Sequence, residues 1–161
     1  MPATLCDNAR LVFGSTLRHA VPASEVFPLL CPVRELEWLE YWSCDLTYSA
    51  SGLAEPDCTF RTNLPTQGPM TWTCSRHEPP RRIEYVAMGP HHIMRLAVLL
   101  EDIPDGGSNS AWTRTFTALD EKGRARLKEM TKERIADHAN MLGRMLNHYL
   151  DTGKPLWKSG R

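Results

Sequence analysis

The chain carries no excess charge of either sign: its 161 residues include 19 Lys and Arg against 19 Asp and Glu. A surface built for nucleic acid or acidic lipid concentrates Lys and Arg, so no nucleic acid is expected as the main partner. Long apolar runs are missing too. The longest, Leu96 to Leu100, falls far short of the roughly 20 residues that a membrane-crossing helix needs, and no stable membrane insertion is expected. The opening MPATLCDNARLVF lacks a charged segment followed by an apolar stretch and does not read as a secretory signal. Cysteine is sparse: Cys6, Cys31, Cys44, Cys58 and Cys74 are odd in number, widely spaced and never in a CxxC pair. That pattern fits free thiols in a reducing cytoplasm better than a disulfide framework or a zinc site. No GxSxG, P-loop, GxGxxG or HExxH is present.

What is present is an ordinary globular composition, 42% hydrophobic and 24% charged, in a length that suits one domain. The domain is expected to fill residues 1–161, with a core over about 10–152 and a short tail. RLVFGSTLRHA (10–20) reads as a strand, and PASEVFPLL as a short helix with Pro22 and Ser24 in its first turn. Pro28 interrupts that helix, so a second short helix or turn follows. From Cys44 to Leu119 strand signals take over: DLTYSA, CTFRTNL, MTWTCSRHE, RRIEYVAM, HHIMRLAVLLE and SAWTRTFTAL, separated by Gly- and Pro-rich turns. Six successive strands on short turns imply an antiparallel meander. From about Gly123 to Asp151 the pattern is one long helix, ended by Gly153 and Pro155. Its stripe contains Leu127, Met130, Thr131, Arg134, Ile135, His138, Met141, Leu142, Met145 and Tyr149.

This order resembles the helix-grip fold of the START-like, or SRPBCC, superfamily. VPASEVFPLL is similar to that group's alanine-proline-x-x-x-valine-phenylalanine lead into its first helix. The tryptophan-bearing ELEWLEYW, the glycine turn before AWTRTFTAL and the long closing helix follow in the same order. CPVRE-x-x-W with a later HYL-x-TG is similar to bacterial members of unassigned function. The resemblance covers about residues 10–152. It implies an α+β fold: a curved antiparallel seven-stranded sheet wrapped around a long C-terminal helix, with two short helices after strand 1. The superfamily includes lipid-transfer domains, pollen allergens, coenzyme Q-binding proteins, and polyketide cyclases and aromatases, so the fold leaves carrier and enzyme both open.

Candidate site residues are those whose face points to the cavity such a fold encloses. Arg134 and His138 lie one turn apart on the helix stripe with Met141 beyond them; either they recognise the polar end of a ligand, or Arg134 reaches the rim and His138 is a core histidine. In SAWTRTFTAL, Trp112, Arg114 and Phe116 alternate with threonines, and the aromatic face is preferred as the inward one. His92 shares parity with Met94, Leu96, Val98 and Leu100, so it is the inward member of His91-His92, and Tyr85 is a further inward candidate. Trp38 and Trp42 sit one helical turn apart in CPVRELEWLEYW, near the cavity mouth, while Glu35, Glu37 and Glu40 are expected in water. Whether this segment is a fixed plug or a moving gate is open. His, Cys and carboxylate residues do not converge at metal-ligand spacings, so neither metal nor cofactor is expected.

The expected function is binding or transport of a hydrophobic small molecule, such as a lipid, polyketide, isoprenoid or aromatic compound. The alternative is a polyketide cyclase/aromatase- or hydratase-like enzyme using the same cavity. A partner protein with a filled core is the third reading, and a homodimer stays open. An inward carboxylate would favour the enzyme, and none is placed by the sequence, which tilts the reading towards binding.

Overall fold

A computed structural model describes residues 9–158; the expectations placed on Cys6 and on the opening segment 1–8 lie outside the described residues. Strand β1 (Arg10–His19) leads into helix α1 (Ala23–Val26), a 3-10 turn (Phe27–Leu30) and a second 3-10 turn (Arg34–Glu37). Strands β2 (Asp45–Tyr48), β3 (Thr59–Leu64), β4 (Gly68–Glu78), β5 (Arg82–Met88), β6 (His92–Asp102) and β7 (Ser108–Ala118) form the meander. All seven strands make one antiparallel sheet in the order β1-β7-β6-β5-β4-β3-β2, so the first strand closes onto the last. Helices α2 (Glu121–Glu129) and α3 (Lys132–Thr152) follow, then a 3-10 turn (Leu156–Lys158). This is the helix-grip arrangement that the sequence implied.

Period-2 alternation explains which face the sheet buries. On β7, Trp112, Arg114 and Phe116 are buried and Thr113 is exposed, so the preferred aromatic face is the inward one. On β4, Met70, Trp72 and Cys74 point inward in the same way. The outer face holds one surprise. Glu84, which a strand carboxylate would normally leave in water, is buried between Arg82 and Arg95, with Arg95 Nη2 donating to it at 2.6 Å. Two cations compensate a carboxylate that the sheet surface desolvates, and they hold it below the usual carboxylate range.

The single closing helix expected from the sequence is two helices. Met130 turns extended at ψ 98°, and the Thr131 hydroxyl accepts from Arg134 N at 3.2 Å, capping α3. A residue pair with one apolar and one capping side chain continues the stripe in sequence while breaking it in space. The helix α3 then ends on Gly153, whose φ of 68° is left-handed and costs a glycine little.

Helix α3 is fixed to β1 by a fully partnered polar chain. Asn147 donates to Arg18 O at 2.9 Å and accepts from His19 Nδ1 at 2.6 Å. His19 Nε2 lies 2.7 Å from Ser110 Oγ, which also accepts from Trp112 Nε1 at 2.9 Å. With Asn147 Nδ2 committed as a donor, the chain assigns His19 the neutral Nδ1–H tautomer. Burial lowers its pKa, in keeping with that state.

Close backbone approach dictates two glycines, and a Cβ on Gly107 would overlap the His19 carbonyl oxygen. A Cβ on Gly123 would overlap the His91 carbonyl oxygen, whereas one on Gly14 meets nothing within 4 Å. Gly123→Ala is therefore expected to lose about 1–3 kcal/mol of stability by overpacking. Gly14→Ala is expected to be neutral or mildly stabilising. Paired urea denaturation midpoints separate the two.

Candidate functional site

Between the sheet and α3 lies a cavity of about 470 Å³. Its walls are aromatic and aliphatic. Trp42, Phe60, Trp72 and Tyr85 form one side, Met94, Leu96 and Trp112 the sheet floor, and Met141, Leu142 and Met145 of α3 the cover. Phe60 and Trp72 stack at 5.6 Å with 9° between their planes, and Trp42 meets Trp72 edge-on at 6.2 Å. Tyr85 stands edge-on to Phe60 at 5.7 Å. These offset and edge geometries are the favoured ones for ring pairs.

The polar atoms of these rings are spoken for. Trp42 Nε1 donates to Pro32 O at 2.8 Å, Trp72 Nε1 to Thr62 Oγ1 at 2.9 Å, and Tyr85 Oη to Leu30 O at 3.1 Å. Two of the three acceptors, Leu30 O and Pro32 O, belong to the segment leading into the second 3-10 turn, so that segment orients the aromatic wall. The walls therefore present carbon to the cavity.

Polarity enters through Glu35, Arg114 and His138, and Glu40, Thr66 and Gln67 also belong to the lining. Glu35 comes from the second 3-10 turn, Arg114 from β7 and His138 from α3. Arg114 is 8% exposed, and its guanidinium carbon lies 5.5 Å from the Trp112 ring centre. Burial pushes the Glu35 carboxyl up to about 8, against a smaller opposing pull from Arg114. At neutral pH Glu35 is thus mostly in its acid form. Desolvation beside the cavity and repulsion from Arg114 lower His138 below the usual imidazole range, although the residue as a whole is exposed. Glu35 is half-buried, and both side chains line the cavity.

Several expected site residues fall elsewhere. The guanidinium of Arg134 is exposed, in the first turn of α3, and donates to Glu129 O at 3.4 Å, closing the end of α2. The break at Met130 explains this correction, because it rotates Arg134 off the inward stripe. Trp38 is buried at 0% exposure and donates to Leu29 O at 2.9 Å, but it does not line the cavity; it belongs to the core beside it. Phe116 also lies outside the cavity lining, against Phe13 at 6.2 Å. Trp42, Tyr85, Met94, Trp112, Arg114, His138 and Met141 do line it.

His92 is inward, as its parity indicates, yet outside the cavity lining. It tilts against Phe116 at 6.1 Å, and neither ring nitrogen has a partner among the described residues. Burial and the nearby Arg126 and His91 lower its pKa. Because the folded chain resists protonation at His92, His19 and His138, the unfolded chain takes up protons first as pH falls. The contribution of these histidines is expected to be complete above about pH 6.5 and to fall below it, by at most about 1.4 kcal/mol per pH unit for each such group. Glu35, raised to about 8, contributes the opposite slope as pH falls from about 8. Urea midpoints of the wild type and His92→Phe between pH 7.5 and pH 5.5 isolate the His92 share, and the variant is expected to lose less stability than the wild type as pH falls.

Glu35 is the residue that sequence reasoning misplaced. It was expected in water with Glu37 and Glu40. Glu37 does remain outside, bound by Arg34 at 3.1 Å and by Tyr149 Oη at 2.6 Å. Helical spacing could not have shown this, because the segment is a four-residue 3-10 turn followed by irregular backbone in which Tyr41 is left-handed. Leu142 and Met145 were read on the helix stripe but not as lining, and Phe60 and Trp72 were read only as members of their strands.

Among the described residues no group of His, Cys, Asp or Glu is arranged to hold a metal ion, and no helix is long and apolar enough to cross a membrane. No family model matches the chain, and no curated protein matches it in sequence. Solved structures do match its fold. Ara h 8.0201 is 12% identical with a TM-score of 0.62, over 88% of this chain and 97% of its own. BexL, a di-domain ARO/CYC protein of the BE-7585A biosynthetic pathway, is 14% identical with a TM-score of 0.66. That match takes in 90% of this chain and 51% of BexL, so the chain spans about half of BexL's length. CalU16 from Micromonospora echinospora is 16% identical with a TM-score of 0.56, over 91% of this chain and 76% of its own. At these identities the likeness is one of fold.

Proposed function

We propose that this chain binds a hydrophobic small molecule in the cavity between its sheet and α3. The observation that carries the proposal is the cavity itself: about 470 Å³, walled by Trp42, Phe60, Trp72, Tyr85 and Trp112, with a few polar groups at one end. Small-molecule sites generally have this make-up, an apolar enclosure of roughly 300–1,000 Å³ with sparse polar groups for orientation. Balanced charge and the buried, free Cys31, Cys58 and Cys74 support a cytoplasmic carrier without a nucleic-acid partner.

Native mass spectrometry of the purified protein tests the reading. A bound apolar molecule is expected to be carried through purification and to be missing from Leu142→Trp, which fills the cavity from α3. An empty wild-type protein that takes up no hydrophobic compound offered to it would overturn the reading.

A second reading is an enzyme of the cyclase or aromatase type, and Glu35 is the observation that favours it. An acid-form carboxyl can give its proton to a carbonyl oxygen while the His138 imidazole takes one from the adjacent carbon, giving an enol, a Glu35 carboxylate and an imidazolium, and Arg114 can stabilise the negative charge that builds on that oxygen in the transition state. The fold shared with an ARO/CYC protein is compatible with this chemistry. Turnover of a poly-β-ketone thioester by the wild type, lost in Glu35→Gln, would establish the enzyme. Cyclisation no faster than in buffer would leave the carrier.

A further inference from the structure

The ion pairs of the described arginines involve Arg18, Arg34, Arg76, Arg82, Arg95 and Arg124, but not Arg114. Arg114 is nonetheless buried, and its face-on neighbour is the Trp112 ring rather than an acceptor. A guanidinium carries five N–H donors, and leaving them without acceptors away from bulk water is costly. Here they open on the cavity that Arg114 lines. Glu35 does not neutralise it: no ion pair joins the two side chains, and the carboxyl stays in its acid form near neutrality.

The polar end of the cavity is therefore a donor site with net positive charge. It offers the Arg114 fork, the Glu35 hydroxyl and the His138 imidazole. A purely apolar ligand would leave those donors unmet, and a cationic one would be repelled. An oxygen anion meets all three, and a charge-assisted bond to Arg is among the strongest available. Resting on the proposed binding function, we infer that the ligand is an anionic amphiphile. Its single anionic oxygen head, a carboxylate, enolate or phenolate, is held by Arg114, and its aromatic or aliphatic body lies against Trp42, Phe60 and Trp72.

Glu35 makes this preference depend on pH. The groups that interact with it electrostatically are Arg114 of β7, Tyr85 of β5 and Cys44 after its own turn, and His138 of α3 stands against the same Arg114. Burial holds Tyr85 up and pushes the Cys44 thiol up to about 11, so both stay neutral where Glu35 titrates. Above about pH 8 the Glu35 carboxylate becomes the counter-ion of Arg114 and repels the ligand head.

Two related fluorescent probes test the inference. 1-Anilinonaphthalene-8-sulfonate carries an anionic oxygen head, and N-phenyl-1-naphthylamine has the same ring body without it. The ratio of their affinities is expected to fall about tenfold in Arg114→Met, the size of one charge-assisted hydrogen bond. The wild-type ratio is also expected to fall between pH 7 and pH 9, and this pH dependence is expected to vanish in Glu35→Gln. If both probes bind the wild type but the ratio is unchanged in Arg114→Met, the anionic head is overturned while the binding function stands. If neither probe binds the wild type, both fail together.

Discussion

Trp38→Ala is expected to lower the unfolding free energy by about 3–5 kcal/mol, the usual cost of removing a large aromatic from a close-packed core. Trp38 is 0% exposed and sits with Leu29, Leu30 and Tyr85 in the hydrophobic core. Its indole N–H satisfies the Leu29 carbonyl at 2.9 Å, so truncation leaves a cavity and an unpaired buried acceptor together. Trp42→Ala is expected to cost less, because Trp42 already borders empty space, and to speed ligand release instead. Urea denaturation of the two variants, with probe dissociation rates, measures the contrast. Equal stability losses would contradict the division between a plug at Trp38 and a cavity wall at Trp42.

Arg114→Met is expected to move stability the other way, raising it by about 1–2 kcal/mol in the unliganded protein. Replacing a buried, unpaired charge by an apolar side chain of similar length removes a desolvation penalty. The loss of its contact with Trp112 offsets this by about 0.5–1 kcal/mol. A stabilised variant with poorer anion binding would be the sign of a residue kept for a ligand. A destabilised one would mean that the guanidinium holds the fold together, and the donor site would lose its rationale. Urea midpoints near pH 7 without ligand decide between these outcomes.

Much of the fold was legible because its signals are local. Alternation along SAWTRTFTAL, the turn at Gly106 and Gly107, and the Gly153 stop each act within a few residues. The helix break was not read, although Thr131 is a poor helix-interior residue and a favoured cap; what ends α2 there is the capping of α3 by Thr131. Arg134 went astray with it. The site was legible in part. Face parity pointed Met94, Trp112 and Arg114 inward, and all three line the cavity, while His92 and Phe116 shared that parity but lie beyond the cavity's reach. How far a cavity extends along a strand depends on the side chains packed across it, which alternation does not encode. Glu35 was lost to the general rule that carboxylates prefer water, and the 3-10 turn that carries it inward has no helical periodicity to read.

Energy transfer from tryptophan to bound N-phenyl-1-naphthylamine tests the central claim most directly, because Trp42, Trp72 and Trp112 all line the cavity. Tryptophan emission is expected to be quenched saturably at one probe per chain, with matching sensitised probe emission. Both signals are expected to disappear in a Leu142→Trp variant that still unfolds cooperatively. Transfer that never saturates, or that persists unchanged in the filled variant, would contradict a ligand site between the sheet and α3.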